Sequence, residues 1–313
     1  MQTPLVEVTQ VTRYYDAHCA VDNLSFTLAR GEVLGFLGPN GAGKSTTMQM
    51  LCGTLAPSHG RILINGIDLL EDPLAAKQQI GFLPEQPPLY NELTVDEYLR
   101  YCAQLKRIAK NKINAALDNA KQRCGLTAVG SRLIGNLSKG YQQRVGIAQA
   151  IIHAPRIVVL DEPTIGLDPF QIREIRELIK QLGNDHGVIL STHILPEVQM
   201  TCNRVQIIRQ GTLVFNDTLE HLSDRMRVSS LVIACQRAPS MASLQKIPGV
   251  SAVEQLSPER FRIHFNPHDN PTERLVRASV EDNWQLQELT PDSRTLEQVF
   301  MELTSADYAG GSV

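Results

Sequence analysis

The chain has no apolar run approaching the ~18 residues of a membrane-spanning helix. Any membrane role is therefore expected to come through a partner. The opening residues, Met1-Gln2-Thr3-Pro4-Leu5-Val6-Glu7, lack the basic-then-apolar pattern of a signal peptide, which leads to the expectation of a cytosolic chain. No C-x-x-C pair occurs among Cys19, Cys52, Cys102, Cys124, Cys202 and Cys235. That scatter suits free thiols in a reducing compartment rather than disulfides or zinc. His264 and His268 are four apart, but Pro267 breaks any helix that could align them as ligands. Excess charge is also missing. A formal net charge of −3 argues against a generally basic nucleic-acid binder, so no nucleic-acid partner is expected. What remains is an ordinary globular composition, 42% hydrophobic and 20% charged. At 313 residues the length suggests two domains, at roughly 100–200 residues each.

The sharpest feature present is Gly38-Pro39-Asn40-Gly41-Ala42-Gly43-Lys44-Ser45-Thr46. It matches G-x-x-x-x-G-K-[ST], the phosphate-cradling loop of nucleoside triphosphatases. The apolar run Val33 to Leu37 leads into it as a buried strand does, and a helix-like run, Ser45 to Cys52, follows. The glycines let backbone N–H groups turn toward the β-phosphate, reinforced by the helix N-terminus. Lys44 is placed to bridge the β- and γ-phosphates, and the Ser45 hydroxyl to ligate Mg²⁺.

Around this loop the sequence reads as alternating strands and helices. Leu5 to Val11 alternates as a half-buried strand, and Val21 to Leu28 pairs with it. Tyr14 and Tyr15 lie between them. Either can stack on a nucleotide base or pack at a strand end. Gly60 to Gly66 reads as a strand closed by a turn. Ile80 to Leu83 is another, followed by a loop, Pro84-Glu85-Gln86-Pro87-Pro88, at a carboxyl end where open α/β sheets bind ligands. Thr94-Val95-Asp96-Glu97 is a capping box, opening a helix with Val95, Tyr98, Leu99, Cys102 and Leu105 on its apolar face. Lys112 to Cys124 is a second, more polar helix, so residues 93–154 read as a mainly helical insertion.

Ile157-Val158-Val159-Leu160-Asp161-Glu162 is a continuous apolar run ending in two acids, the pattern of a buried parallel strand. Beside a phosphate loop, Asp161 can hold Mg²⁺ through water. Glu162 points differently and can act as general base on the attacking water. Asp168 and Pro169 open a helix as N-cap and first-turn residue, with Ile172, Ile175, Leu178, Ile179 and Leu182 as its stripe. Val188 to His193 is a further strand, and its histidine can reach a γ-phosphate or serve the structure alone. Val205 to Ile208 and Gly211 to Phe215 read as a hairpin.

In this order the motifs resemble an ATP-binding cassette, the motor subunit of membrane transporters, from Leu5 to about Leu222. The decisive segment is Leu137-Ser138-Lys139-Gly140-Tyr141 with Gln142-Gln143-Arg144-Val145, which is similar to the cassette signature LSGGQ-x-Q-R-V. The resemblance implies a head-to-tail homodimer in which Ser138 and Gly140 reach the γ-phosphate of ATP held by the second copy. It also implies that Asp168 lies in the loop linking the two sites, that His193 is the switch histidine, and that Tyr15 is the adenine-stacking aromatic. Two motifs depart from the family pattern. Lys139 and Tyr141 replace a glycine and a glutamine of the signature, and the metal- and water-coordinating glutamine falls on Glu85, with Gln86 one residue late.

Beyond the cassette, residues 225–308 read as a second domain. Ser229 to Cys235, Leu244 to Ile247, Val250 to Leu256, Phe261 to Phe265, Thr272 to Asn283 and Leu286 to Leu289 follow a β-α-β-β-α-β order. A last helix starts at Thr295 and docks through Leu296, Val299, Phe300 and Leu303, and residues 309–313 form a flexible tail. Similar tails occur in cassettes of multidrug, polysaccharide, lipid, sodium and gliding-motility exporters. The fold expected is α/β, a P-loop NTPase cassette with antiparallel β and helical subdomains over residues 1–222. A small α+β, ferredoxin-like domain follows it. The function expected is an ATP-hydrolysing motor, using ATP and Mg²⁺, on the cytoplasmic face of the membrane beside a separate permease. The alternative is a cassette ATPase acting on nucleic acid or the ribosome.

Overall fold

A computed structural model describes residues 3–224, 230–266 and 269–292. The chain divides into two compact units, Met1–Leu219 and Glu220–Val313.

The first unit opens with two long strands, β1 (Val6–Tyr15) and β2 (His18–Leu28), paired antiparallel. β3 (Val33–Leu37) is buried at every residue and runs into the phosphate loop and helix α1 (Lys44–Leu51). β4 (His59–Ile64) and β5 (Ile67–Asp68) form a hairpin, followed by α2 (Pro73–Gln78) and β6 (Ile80–Leu83). The helical portion contains α3 (Val95–Leu105), α4 (Ile113–Cys124) and α5 (Lys139–Ile151). Then come β7 (Ile157–Asp161), α6 (Pro169–Gly183), β8 (Gly187–Thr192), α7 (Leu195–Thr201), β9 (Arg204–Arg209) and β10 (Thr212–Thr218).

Two sheets result, in the orders β2-β1-β4-β5 and β10-β9-β3-β8-β7-β6. In the second, β9, β3, β8, β7 and β6 run parallel and only the edge strand β10 is antiparallel. Parallel strands covered on both faces are continuous apolar runs, which is why β3, β7 and β8 carry so few polar residues before their carboxyl ends. The sheets share one apolar core, with Val6, Val8, Leu24 and Phe26 from the first and Leu34, Phe36, Val159 and Ile189 from the second. Phe26 meets Phe36 at a centroid distance of 6.0 Å.

The local signals act as their chemistry requires. The Thr94 side chain accepts from Glu97 N–H while Glu97 accepts from Thr94 N–H, a complete capping box. Asp168 accepts from Gln171 N–H and Pro169 occupies the first turn of α6. One stripe residue does not follow the expectation. Leu105, at the last position of α3, is 63% exposed, whereas Val95, Tyr98, Leu99 and Cys102 are buried. The helix face has rotated out of the core by its final turn. Ile172 is only half-buried for the mirrored reason at the start of α6.

The second unit holds α8 (Leu219–Asp224, which begins at the division), β11 (Ser230–Cys235), α9 (Met241–Gln245), β12 (Val250–Ser257), β13 (Arg260–Phe265), α10 (Thr272–Glu281) and β14 (Leu286–Pro291). From β11 onward this is the β-α-β-β-α-β order, in an antiparallel sheet β12-β13-β11-β14, a ferredoxin-like arrangement. α9 starts three residues before Leu244 because Ser240 caps it, accepting from Ser243 N–H. Leu231, Ile233, Leu244, Phe261, Ile263, Leu275 and Trp284 form its core. The helix expected from Thr295, with Leu296, Val299, Phe300 and Leu303, lies outside the described residues, as does His268.

Candidate active site

The carboxyl ends of β3, β7 and β8 and the loop after β6 converge on one cleft of about 460 Å³. Asn40, Gly41, Gly43, Lys44, Ser45 and Thr46 form its floor, with Tyr15, His18 and Ala20 on one side. Glu85, Glu162, Ile165 and His193 form the other.

The floor is shaped by the glycines. Gly43 caps α1 at φ +103°, a conformation L side chains rarely adopt, and a Cβ there would sit 2.5 Å from the Ala20 carbonyl oxygen. Gly43 provides no side-chain cap, so the first N–H groups of α1 remain available to an anion. A Cβ on Gly38 would meet the Ile208 carbonyl oxygen at 2.5 Å, so the loop seats directly on β9.

Lys44 is 6% exposed and folds back into its own loop. Its Nζ donates to the carbonyls of Gly38 at 2.9 Å and Pro39 at 3.2 Å, and lies 3.7 Å from Glu162 Oε1. Asp161 and Glu162 are both buried, at 4% and 6% exposure. Glu162 has φ +48°, a left-handed conformation uncommon outside glycine, and its N–H donates to Ser191 O at 2.9 Å. This turn aims the two successive acids differently. The Glu162 carboxylate faces His193, whose Nδ1 lies 3.0 Å from both Oε atoms. A carboxylate accepts, so Nδ1 carries the hydrogen.

Asp161 Oδ1 is buried with no hydrogen-bond partner among the described residues, and so is Ser191 Oγ, directly across the β7–β8 ladder. Buried polar atoms are ordinarily satisfied, so an orphaned carboxylate oxygen beside a phosphate loop fits a cation or its bound water. Among the described residues no group of three or more His, Cys, Asp and Glu side chains could hold a metal alone. One or two protein oxygens completed by phosphate is the usual arrangement for Mg²⁺.

Burial dominates the ionisable groups behind this wall. It pushes the Cys52 thiol up, and the nearby Asp161 carboxylate pushes it further. It pushes Lys106 down.

The other expected residues divide between the cleft and its surroundings. Tyr15 borders the cleft, whereas Tyr14 packs edge-on against His59 at 6.4 Å. Ser138 caps α5, accepting from Tyr141 N–H, and Asp168 caps α6; neither they nor Gly140 border the cleft. Lys139 borders a second cleft of about 370 Å³, together with Glu85, Gln86, Gln142, Gln143 and Ile165. Glu85 thus borders both clefts, and Gln86 only the second. The sequence reading missed His18 at the cleft rim and Glu197 behind it. Glu197 is buried, accepting from Thr164 and Thr192. The one signal for it is a carboxylate set between Leu195 and Val198 on an otherwise apolar run.

Fold and site together define a nucleoside triphosphatase of the cassette type, and comparison with known proteins agrees. Residues 21–165 match the ABC transporter family model. The chain is 39% identical to the ABC transporter ATP-binding protein NatA of Bacillus subtilis over 214 residues, 68% of this chain and 87% of that one. It is 31% identical to the bacitracin transport ATP-binding protein BcrA of Bacillus licheniformis over 308 residues, 98% of this chain and 99% of that one. A dimeric bacterial ABC transporter cassette superimposes with a TM-score of 0.62 at 25% identity, over 68% of this chain and 98% of the cassette. The chain belongs to the ABC transporter ATP-binding family. It is an ATP-binding subunit and an ATPase. No helix among the described residues is long and apolar enough to cross a membrane.

Proposed function

We propose that two copies of this chain pair head to tail around ATP and that their closure drives export through a separate membrane permease. The observation that supports this is the incomplete wall of the cleft. The phosphate loop, Glu162 and His193 border it, while Ser138, Gly140 and Asp168 of the same chain do not. A second copy supplies the missing side. Similarity to a dimeric cassette favours the pairing. Full-length similarity to a bacitracin transport protein, second unit included, favours the export branch, whose cassettes carry such tails.

In this reading Lys44 exchanges the carbonyls of Gly38 and Pro39 for the β- and γ-phosphates, and Tyr15 stacks on adenine. Ser45, Glu85 and, through water, Asp161 would hold Mg²⁺, which would neutralise charge on the phosphate oxygens. Glu162 takes the proton of the attacking water. His193 holds that carboxylate and stands beside the γ-phosphate. Ser138 and Gly140 of the second copy close the far side, with Lys139 adding positive charge near it. Residues 1–222 form the motor and the later domain is accessory. The subunit sits at the cytoplasmic face through the permease, and no nucleic acid takes part.

Glu162→Gln tests the reading. MgATP binding is retained, turnover falls by about 10²–10⁴-fold, and dimer accumulates in ATP by light scattering. Wild-type turnover in this variant sinks the assignment of the base.

A further inference from the structure

The geometry points to Glu197 as the positioning residue of the hydrolytic pair, holding Glu162 and His193 in register without touching nucleotide. This rests on the reading of Glu162 and His193 as that pair. Glu197 lies on α7, 1% exposed, and does not border the cleft. Its two carboxylate oxygens divide between two elements. Oε1 accepts from the Thr164 hydroxyl, and Oε2 from the Thr192 hydroxyl at 2.8 Å. Thr164 is two residues after Glu162, and Thr192 is one residue before His193. Thr192 is itself fully used, since its Oγ1 also accepts from Ile194 N–H at 3.1 Å.

The contacts close a ring. The Glu162 carboxylate meets His193, Glu162 N–H donates to Ser191 O, and Glu197 ties the residues that follow one strand to those that end the other. Glu162 needs such a frame, because its left-handed φ of +48° persists only where the surroundings over-determine it. Stability alone does not call for a carboxylate here. Its neighbours Leu195 and Val198 are apolar and buried, and a carboxylate among them carries a desolvation penalty that two hydroxyl donors only offset. The dry site strengthens each hydroxyl-to-carboxylate bond. The carboxylate is felt nearby: after burial, it is what raises the Cys202 thiol.

The test uses the full chain, with steady-state ATP turnover and thermal melting read together. In Glu197→Gln the amide accepts from only one hydroxyl, so kcat falls about 10–100-fold while KM stays within about threefold, the signature of misplaced groups rather than lost binding. Glu197→Leu strands the buried Thr164 and Thr192 hydroxyls and so melts below wild type, yet well below its melting temperature it is as slow as Glu197→Gln. Thr164→Val is slow, Thr164→Ser restores turnover, and adding Thr164→Val to Glu197→Gln lowers kcat no further. A wild-type kcat in Glu197→Leu overturns the inference, as does a kcat loss that merely tracks lowered melting. Should the Glu197 variants fail to fold, equal turnover in Thr164→Val and Thr164→Ser overturns it instead. Glu162→Gln, run alongside, separates the two failures. If it turns over normally, the hydrolytic reading is wrong; if it is inactive while Glu197→Leu is normal, only the positioning role is wrong.

Discussion

The two units treat charge in opposite ways. In the first, Lys44, Asp161, Glu162 and Glu197 are buried where parallel strands end, each 6% exposed or less. In the second, Arg260–Glu288, Arg262–Glu254 and Arg274–Asp269 are pairs at the surface of an antiparallel sheet and its flanking helix. A buried charge carries a desolvation penalty unless it is paired or holds a ligand, whereas a solvated pair contributes about 0–1 kcal/mol. The difference locates the chemistry. In the function proposed above, the first unit tolerates expensive groups because phosphate, a metal ion and water would be handled there. The second packs an apolar core under charges that cost little and do little.

The largest expected effect comes from removing the buried cation. Lys44→Ala leaves the carbonyls of Gly38 and Pro39 without this donor and Glu162 without its 3.7 Å partner. Turnover is expected to fall by about 10³-fold, with weakened MgATP binding, in phosphate-release and calorimetric assays. Turnover within tenfold of wild type would break the contrast, because a buried lysine would then be no more consequential than a surface one.

A middle-sized effect should appear with pH. His153 follows α5, and since a carbonyl only accepts, its Nε2 donates to Ile80 O at 3.1 Å. Its Nδ1 is buried with no partner among the described residues, so protonation would strand a donor. Burial, helped by the Lys106 charge, pushes its pKa down to about 4. The unfolded chain therefore takes up a proton near pH 6.5 that the folded chain refuses until about pH 4. Stability from this group is complete above pH 6.5, declines as pH falls through the window, and levels off below pH 4. The full shift corresponds to about 3 kcal/mol, and the part of the ring that water reaches brings the loss to about 2 kcal/mol. His153→Gln should flatten that stretch of the melting-temperature profile. His186, also lowered mainly by burial, leaves a residual slope. An unchanged profile would show that the folded ring takes up its proton over the same pH range as the unfolded one.

Much of this was readable where the determinant is local. Thr94 with Glu97, Asp168 with Pro169, and the apolar run ending at Asp161 each carry their structure within a few residues. The tail's β-α-β-β-α-β order was legible for the same reason, since alternation and turns mark each strand. What escaped depends on residues far apart in the chain. Glu197 meets Thr164 across 33 positions, and nothing near it distinguishes a clamp from a core position. Residue pattern alone leaves Tyr14 and Tyr15 equivalent, and only the family resemblance favours Tyr15; their placement follows register shifts in the β1–β2 ladder next to Tyr14 that no propensity encodes. Leu105 fits the helix stripe, but where a helix leaves the core depends on what it packs against.

The smallest expected effect belongs to the second unit and is the sharpest check on the contrast. Arg262 on β13 donates to Glu254 Oε2 at 2.8 Å and to Asp292 Oδ2 at 2.6 Å, and Asp292 also accepts from Ser230 Oγ at 3.2 Å. It bridges two carboxylates, yet one-third of its side chain is exposed. Water and salt screen both partners, so Arg262→Ala should cost about 1 kcal/mol or less, and less still at high ionic strength. The chain offers a selective probe. Trp284 is its only tryptophan, and it is buried in this unit's core. Urea unfolding followed by its fluorescence should show a small shift in midpoint with unchanged slope, while ATP turnover stays at the wild-type rate. A loss of several kcal/mol would mean that these pairs are held as stiffly as the buried groups of the first unit. A loss of turnover would mean that the second unit influences the hydrolytic site.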